Sequence, residues 1–525
     1  MRLHPVDGLV IVAYFAAILV IGYRLSRGMR SSADFFLAGR SLPWWAIGMS
    51  LVATDIGGTD IVGVAGAAYR YGLAVANFEW IGCVPAMIVA AFVFVPHFWR
   101  LGITTLPEFM ERRYNPLMRL LLAFCWLVFM ACNLGVMLLA SAKMLLALGG
   151  LRFSSDGAWA ALAGWELALA IVILGITAGA YTLAGGLAAV VYTDVLQCAV
   201  MIGGCLLVAL LSLVEVGGWT GLLAALETHA ANRAGVPSTE LILPVDTESP
   251  FPWTGIFFGL ALVLSPAYWW GNQAIVQRSL GARSEFEAKA SYVWGALLKN
   301  LIPLLIAVPG IAAAALFPQL TDADEAFPWL AATILPVGLR GLFLAAFVAA
   351  LMSSVDSYLN SAATILTHDF LGRYWRSTAQ GRTSVRSGRI VTALLTLWAI
   401  LFALWLSGLE GATIYGIFQT MMSFFQGPAL AVLLAGLFWS RATPAGAVAG
   451  FVAGVVTSLV LFAMQQPIVY QTAGWKPLFQ IREPYLYYSV WSFLMTWLVI
   501  AIVSCVTPRV PAERIRPLLL RGGQA

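Results

Sequence analysis

The chain has 525 residues, of which 61% are hydrophobic and 10% charged, with a formal net charge of +5 and a mean hydropathy of +0.86. This balance excludes an ordinary soluble domain. The charge excess sits in the connections between apolar stretches, so no nucleic-acid partner is indicated.

Apolar windows of roughly 20 residues, the length that crosses a bilayer core, recur from Val6 almost to Pro508 and predict about thirteen transmembrane helices. In chain order the windows run 7 to 24, 44 to 69, 74 to 99, 117 to 149, 160 to 185, 188 to 214, 251 to 276, 288 to 317, 338 to 369, 388 to 408, 411 to 438, 443 to 464 and 484 to 507. The first is a retained helix rather than a secretory signal, because only Arg2 precedes it, no small-residue cleavage pattern follows, and basic residues flank its C-terminal side. Basic residues stay cytoplasmic, and they fall in alternate connections: Arg24, Arg27, Arg30 and Arg40; Arg100, Arg112, Arg113 and Arg119; Arg278, Arg283 and Lys289; Arg373, Arg376, Arg382, Arg386 and Arg389; Arg509, Arg514, Arg516 and Arg521. The other connections are long or acidic, with Glu227, Glu240, Asp246 and Glu248 in one and Asp322, Asp324 and Glu325 in another. The N-terminus is therefore expected outside and the C-terminus in the cytoplasm, for a multi-pass protein of the plasma (inner) membrane.

Six cysteines, Cys83, Cys125, Cys132, Cys198, Cys205 and Cys505, lie in apolar surroundings without paired metal spacing and read as small core residues. No phosphate loop, nucleophile elbow or zinc pattern occurs, and the chain has no room for a soluble nucleotide domain, so an ATP-driven pump is disfavoured. What remains is polar chemistry inside the membrane, where ionisable groups by default mark a pathway or a site. Asp55, Asp60, Glu79, Asp194, Lys299 and Asp356 are such groups, although Asp194 and Glu79 could equally reach the interface from a helix end.

The window at 338 to 369 carries ALMSSVDSYLNSA. At about 100° per residue, Ala350, Ser353, Ser354, Ser357 and Ser361 form one stripe, with Asp356 and Asn360 beside it. Small hydroxyl residues suit close packing of membrane helices. Neutral oxygens with a carboxylate also suit a hard monovalent cation. Gly57 and Gly58 weaken the second window at ATDIGGTD, where an unwound segment is tolerated only if it lines a cavity or a ligand. Five spans later LSPAYWWGNQ carries Pro266 and Gly271, predicting a second interruption. Two interrupted spans in matching positions of two halves point to an inverted-repeat transporter with a midplane site.

The segments DFFLAGRSLPWWAIGMSLVATDIGG, GLAVANFEW, LPEFMERRYN, AYTLAGGLAAVVYTDVLQ, NQAIVQRSLGARS, LPVGLRGLFLAAFVAALMSSVDSYLNSAATILTHD and GPALAVLLAGLFW resemble, in register from Asp34 to Trp439, the sodium:solute symporter family and its sodium/sugar cotransporter branch. The resemblance implies an all-α polytopic membrane protein with a LeuT-type core of 5+5 helices in inverted repeats. Residues 44–214 and 251–438 would be the repeats and 215–250 an extracellular loop. Residues 1–43 would add a helix and a cytoplasmic loop, and 439–525 two more helices and a cytoplasmic tail. By motif position the resemblance implies a Na⁺ site from the carbonyls of Ala53, Ile56 and Ala350 and the hydroxyls of Ser353 and Ser354. A second sodium would use Asp194, Ser353, Asp356 and Ser357.

The same resemblance places solute at Asp55, Asp60, Glu79, Lys299 and Gln419, with Tyr268 as inner gate and Phe78 as outer gate. Asp55 and Asp60 depart from the sugar-transporter pattern, which has Asn at the first position and an uncharged or His side chain at the second. Lys299 is a candidate counter-ion for Asp55. The implied function is Na⁺-coupled symport of a small polar solute, a sugar or polyol, by alternating access, and not an enzymatic reaction. The implied partners are sodium ions, a sugar-like solute and the lipid bilayer. The competing readings are a symporter for an amine, amino sugar or vitamin-like carboxylate, and a sensor or channel on the same fold. H⁺ stands as an alternative coupling ion.

Overall fold

The computed structural model describes residues 4–26, 37–149, 165–184, 187–230, 239–320, 322–371, 382–408, 414–474, 476–479, 481 and 484–520. The loop arginines Arg27, Arg30, Arg373 and Arg376 lie outside them. Every element among the described residues is helical. Eight helices there are long and apolar enough to cross a membrane, and two more spans are bent pairs. Three shorter apolar helices, Pro5–Ile18, Glu166–Ala180 and Gly255–Gly271, fall on the remaining expected windows.

The first bent pair is Trp44–Asp55 with Asp60–Tyr71, set at 55°. Its break lies where Gly57 and Gly58 predicted it, with Gly57 extended at φ −93 and ψ −172. The second interruption lies inside the expected stretch, at Asn272 beside Gly271, and not at Pro266. The helix runs through Pro266 because the preceding Gly255–Leu264 stretch is π-wound and Pro266 falls in the first turn of Ser265–Gly271. There its missing amide removes no established bond. The chain leaves the helix at Asn272, whose side chain accepts from the Ala274 amide at 2.9 Å and starts Gln273–Leu280. A further bend, 41° between Gly416–Ser423 and Gln426–Phe438, was not anticipated. The Gly427–Pro428 pair in the first turn of its second half is the sequence signal for it.

The helix Leu339–Ile365 carries the polar stripe, and its apolar window is 94% buried, against 28% for Pro444–Met464 and Tyr485–Val506. It is therefore the centre of the bundle, packed against Pro116–Gly149, Leu187–Val216 and Trp44–Asp55. Its hydroxyls meet other helices instead of lipid. The span Glu285–Leu316 passes through a turn at Asn300 and Leu301, both still right-handed helical, before Pro303, so that Lys299 ends the helix Glu285–Lys299. Its two parts run beside the two halves of the first bent pair, Glu285–Lys299 beside Trp44–Asp55 and Ile302–Leu316 beside Gly58–Tyr71.

That second contact depends on Gly310. A Cβ there would lie 2.4 Å from the Ala65 carbonyl oxygen and 2.9 Å from the Ala68 Cβ. Because the obstacle is backbone, the helices must separate, and Gly310→Val is expected to destabilise by about 1–3 kcal/mol. Gly203→Ala, with nothing within 4 Å of the new Cβ, is expected to leave the melting temperature in detergent unchanged. Equal melting of the two variants would contradict this contact.

Candidate functional site

The break after Asp55 frees backbone oxygen. The Gly57 amide donates to Asp55 (3.2 Å) and the Asp60 amide to Gly57 (3.1 Å), so neither closes the helical bond to Ala53 or Ile56. The stripe on Leu339–Ile365 faces this segment. Ser354 Oγ donates to the Thr54 carbonyl at 3.0 Å, and Thr54 Oγ1 lies 3.1 Å from Ser357 Oγ. Ser353 donates to one carboxylate oxygen of Asp194, and Ser50 Oγ donates to the other at 2.5 Å. A hydroxyl that donates to a carboxylate or carbonyl keeps its lone pairs for a cation. Ala53, Ile56, Ala350, Ser353 and Ser354 are all buried, which is where desolvated oxygen ligands belong.

Below this segment lies a residue that the sequence placed elsewhere. Arg278, counted above with the cytoplasmic loop charges, is 1% exposed. Its Nε donates to Ser50 Oγ at 2.7 Å, its Nη groups donate to the Ala274 carbonyl and Ser357 Oγ, and Nη2 lies 3.5 Å from Asp194. The Asn272 break turns the half-helix Gln273–Leu280 inward and carries Arg278 to this position. Asp356 faces another way: Thr182 on Glu166–Ala184 donates to it. Asp194, Ser353 and Ser357 thus form one cluster around a guanidinium, with Asp356 to its side.

Arg113 is likewise buried rather than in a loop. It donates to the carbonyls of Gly436 (2.8 Å), Trp439 (2.9 Å) and Ala442 (3.2 Å), capping the end of Gln426–Phe438.

Above the break a cavity opens, lined by Asp55, Asp60, Glu79, Gln419, Trp269 and Tyr268 among others. Lys299, fully buried behind it, bonds Asp55 and lies 2.6 Å from Glu79 Oε2. It also lies 5.8 Å from the Trp269 ring centre, a cation–π distance. The five residues assigned to solute from the sequence therefore converge. Tyr268 lines the cavity and reaches the helix of the hydroxyl stripe, its Oη 3.3 Å from Tyr358 Oη. Phe78 lines the opposite wall and packs edge-on against Phe251 at 5.7 Å. Cys83, read from the sequence as a core residue, lines the same cavity. Gln426, which the sequence reading passed over, does so as well.

The sodium:solute symporter family profile matches residues 35–454. The sodium/glucose cotransporter of Vibrio parahaemolyticus is 34% identical over 96% of this chain and 90% of its own length. The mouse sodium/myo-inositol cotransporter 2 is 33% identical over 98% of this chain and 79% of its own length. Among solved structures, a Na⁺-coupled sialic acid symporter in a substrate-bound outward-open state superposes with a TM-score of 0.77 at 20% identity, covering 96% of this chain and 99% of that one. Mhp1, a nucleobase-cation-symport-1 family transporter, superposes with a TM-score of 0.55 at 14% identity, over 93% of this chain and 98% of that one.

A membrane-spanning helical bundle with broken helices around a buried polar cavity is the architecture of a secondary transporter, and the fold is the LeuT-type one that the resemblance implied. The chain belongs to the sodium:solute symporter family. It is a multi-pass membrane transport protein that uses sodium as its coupling ion, not an enzyme.

Proposed function

We propose that the protein carries a sugar or polyol together with Na⁺ across the plasma membrane by alternating access, with its N-terminus outside and its C-terminus in the cytoplasm. The convergence of Asp55, Glu79, Gln419 and buried Lys299 on a cavity with an indole wall carries this reading. Carboxylates, amides and an ammonium bond hydroxyls in pairs, and an aromatic face covers the apolar side of a sugar ring. The named glucose and inositol cotransporters support it.

Na⁺ would be held by the carbonyls of Ala53, Ile56 and Ala350 and the hydroxyls of Ser353 and Ser354. It would thereby tie the unwound segment to the central helix and stabilise the state in which the solute cavity is formed. Solute then fills the cavity, Phe78 and its neighbours close the outer side, and release of Tyr268 opens the inner one. Each charge that moves with the ion contributes about 2.3 kcal/mol per 100 mV. The repeats would be residues 44–214 and 251–438, with 1–43, 215–250 and 439–525 as the flanking helix and loop, the extracellular loop, and the terminal helices and tail. A second sodium at Asp194, Ser353, Asp356 and Ser357 requires Arg278 to leave that cluster, since its guanidinium already bonds Ser357. The bilayer is the solvent of this surface, and no nucleic acid takes part.

The test is uptake of labelled hexoses and inositol into proteoliposomes with and without an inward Na⁺ gradient, for the wild type and for Ser354→Ala. Loss of one hydroxyl ligand is expected to raise the half-saturating sodium concentration about tenfold or more, with solute affinity restored at saturating sodium. An unchanged sodium dependence would remove Ser354 from the site. Flux indifferent to the gradient would overturn coupling.

A further inference from the structure

Among the described residues the carboxylates at the cavity outnumber the ammonium groups that pair with them. Three carboxylates line it, Asp55, Asp60 and Glu79, and Lys299 is shared between the first and the last. Asp60 stands apart from that ammonium. It lies in the first turn of Gly58–Tyr71, its Oδ2 accepting from the Gly57 amide at 3.1 Å. A helix N-terminus favours the ionised carboxylate, while enclosure disfavours it. Lys299 offsets one negative charge, and a sodium ion on the adjacent carbonyls of Ala53 and Ile56 would offset a second. An ionised Asp60 is then left without a counter-ion when the cavity closes.

Gln426, at the bend between Gly416–Ser423 and Gln426–Phe438, is 1% exposed. Both its amide oxygen and its amide nitrogen lack a hydrogen-bond partner, although the residue lines the cavity. An enclosed amide with donor and acceptor both unmet awaits a ligand that offers both, and a hydroxyl does. The cavity therefore holds a carboxylate outside the Lys299 ion pairs and an amide whose polar atoms are both unmet.

We propose that the solute is a polyhydroxylated ring bearing a protonated amine, an amino sugar or aminocyclitol, with its ammonium on the Asp60 side and its hydroxyls on Gln426 and Gln419. This rests on the symport reading above and narrows its substrate class. A neutral hexose would leave the Asp60 charge enclosed without a partner, whereas a monocationic one replaces the lost hydration with an ion pair. Asp60 and Gln426 are then specificity-determining residues that act by contact with the solute.

The experiment uses the full chain in proteoliposomes with an inward Na⁺ gradient and labelled glucosamine, glucose, N-acetylglucosamine and myo-inositol. N-acetylation removes the charge while keeping the ring. Glucosamine is expected to enter with a specificity about tenfold or more above each neutral compound. Asp60→Asn is expected to bring that ratio to about one, Asp60→Glu to preserve it, and Gln426→Ala to weaken all four compounds alike. Sodium-driven entry of glucose or inositol at least as good as that of glucosamine would overturn the amine while leaving symport intact. An unchanged ratio in Asp60→Asn, or a lost one in Asp60→Glu, would overturn the role of Asp60. No sodium-driven flux of any member would overturn both the amine and the sugar reading.

Discussion

Lys299→Met is expected to abolish uptake and to lower the stability of the folded transporter. The ammonium is fully buried between Asp55 and Glu79, with the Trp269 ring beside it. Removing it leaves two carboxylates facing each other without a counter-ion. Breaking a buried pair from one side costs about 3–5 kcal/mol, a factor of about a hundred to several thousand in any equilibrium it controls. The penalty arises from the orphaned charge rather than from the loss of an attraction, so a second substitution separates the two. Lys299→Met combined with Asp55→Asn is expected to recover most of the melting temperature, measured by thermal aggregation in detergent, while uptake stays impaired. Uptake by Lys299→Met within about twofold of the wild type would mean that the ion pair is not part of the working cavity.

Arg278→Gln is expected to change how many sodium ions act together. With the guanidinium in place, Asp194 has a positive partner and the hydroxyls of Ser50 and Ser357 are engaged by it. Sodium activation of wild-type uptake should then have a Hill slope of about one. Without the guanidinium, Asp194 is a fully buried carboxylate held only by the hydroxyls of Ser50 and Ser353. A monovalent cation is the simplest way to restore neutrality there. The slope should rise towards about two, and adding Asp356→Ala shows whether that carboxylate helps to hold the ion. A slope of about two already present in the wild type would mean that Arg278 withdraws during the cycle. No change in Arg278→Gln would mean that Asp194 holds no ion at all.

Much of this arrangement was legible in the sequence. The A-x-x-S-S spacing put the hydroxyls on one stripe, and Gly57 with Gly58 located the first break, because both follow from the local geometry of a helix. Arg278 and Arg113 were misplaced for a shared reason. A charge count treats every arginine near a helix end as a loop residue, whereas burial of an arginine depends on partners from distant segments. For Arg278 these are Ser50 and Asp194, and for Arg113 the carbonyl end of Gln426–Phe438. Of the two residues that marked the second interruption, Gly271 adjoins the break, whereas Pro266 does not interrupt its helix, because its effect depends on the winding that precedes it and a π-helical stretch carries no simple residue signature. Gln426 stayed hidden because an amide in an apolar run has no periodicity of its own, and only the bend beside it turns it towards the cavity.

The break at Ile56–Gly57 and the turn at Asn300–Leu301 lie on two spans that pack half against half. Lys299 ends the helix before the turn and Asp55 the helix before the break, so their ion pair ties the two spans together there. On the proposed function, a solute that competed for Asp55 would untie the two spans, whereas sodium alone would leave the pair in place. A tie of that kind would limit slippage, the wasteful passage of ions through an unloaded carrier.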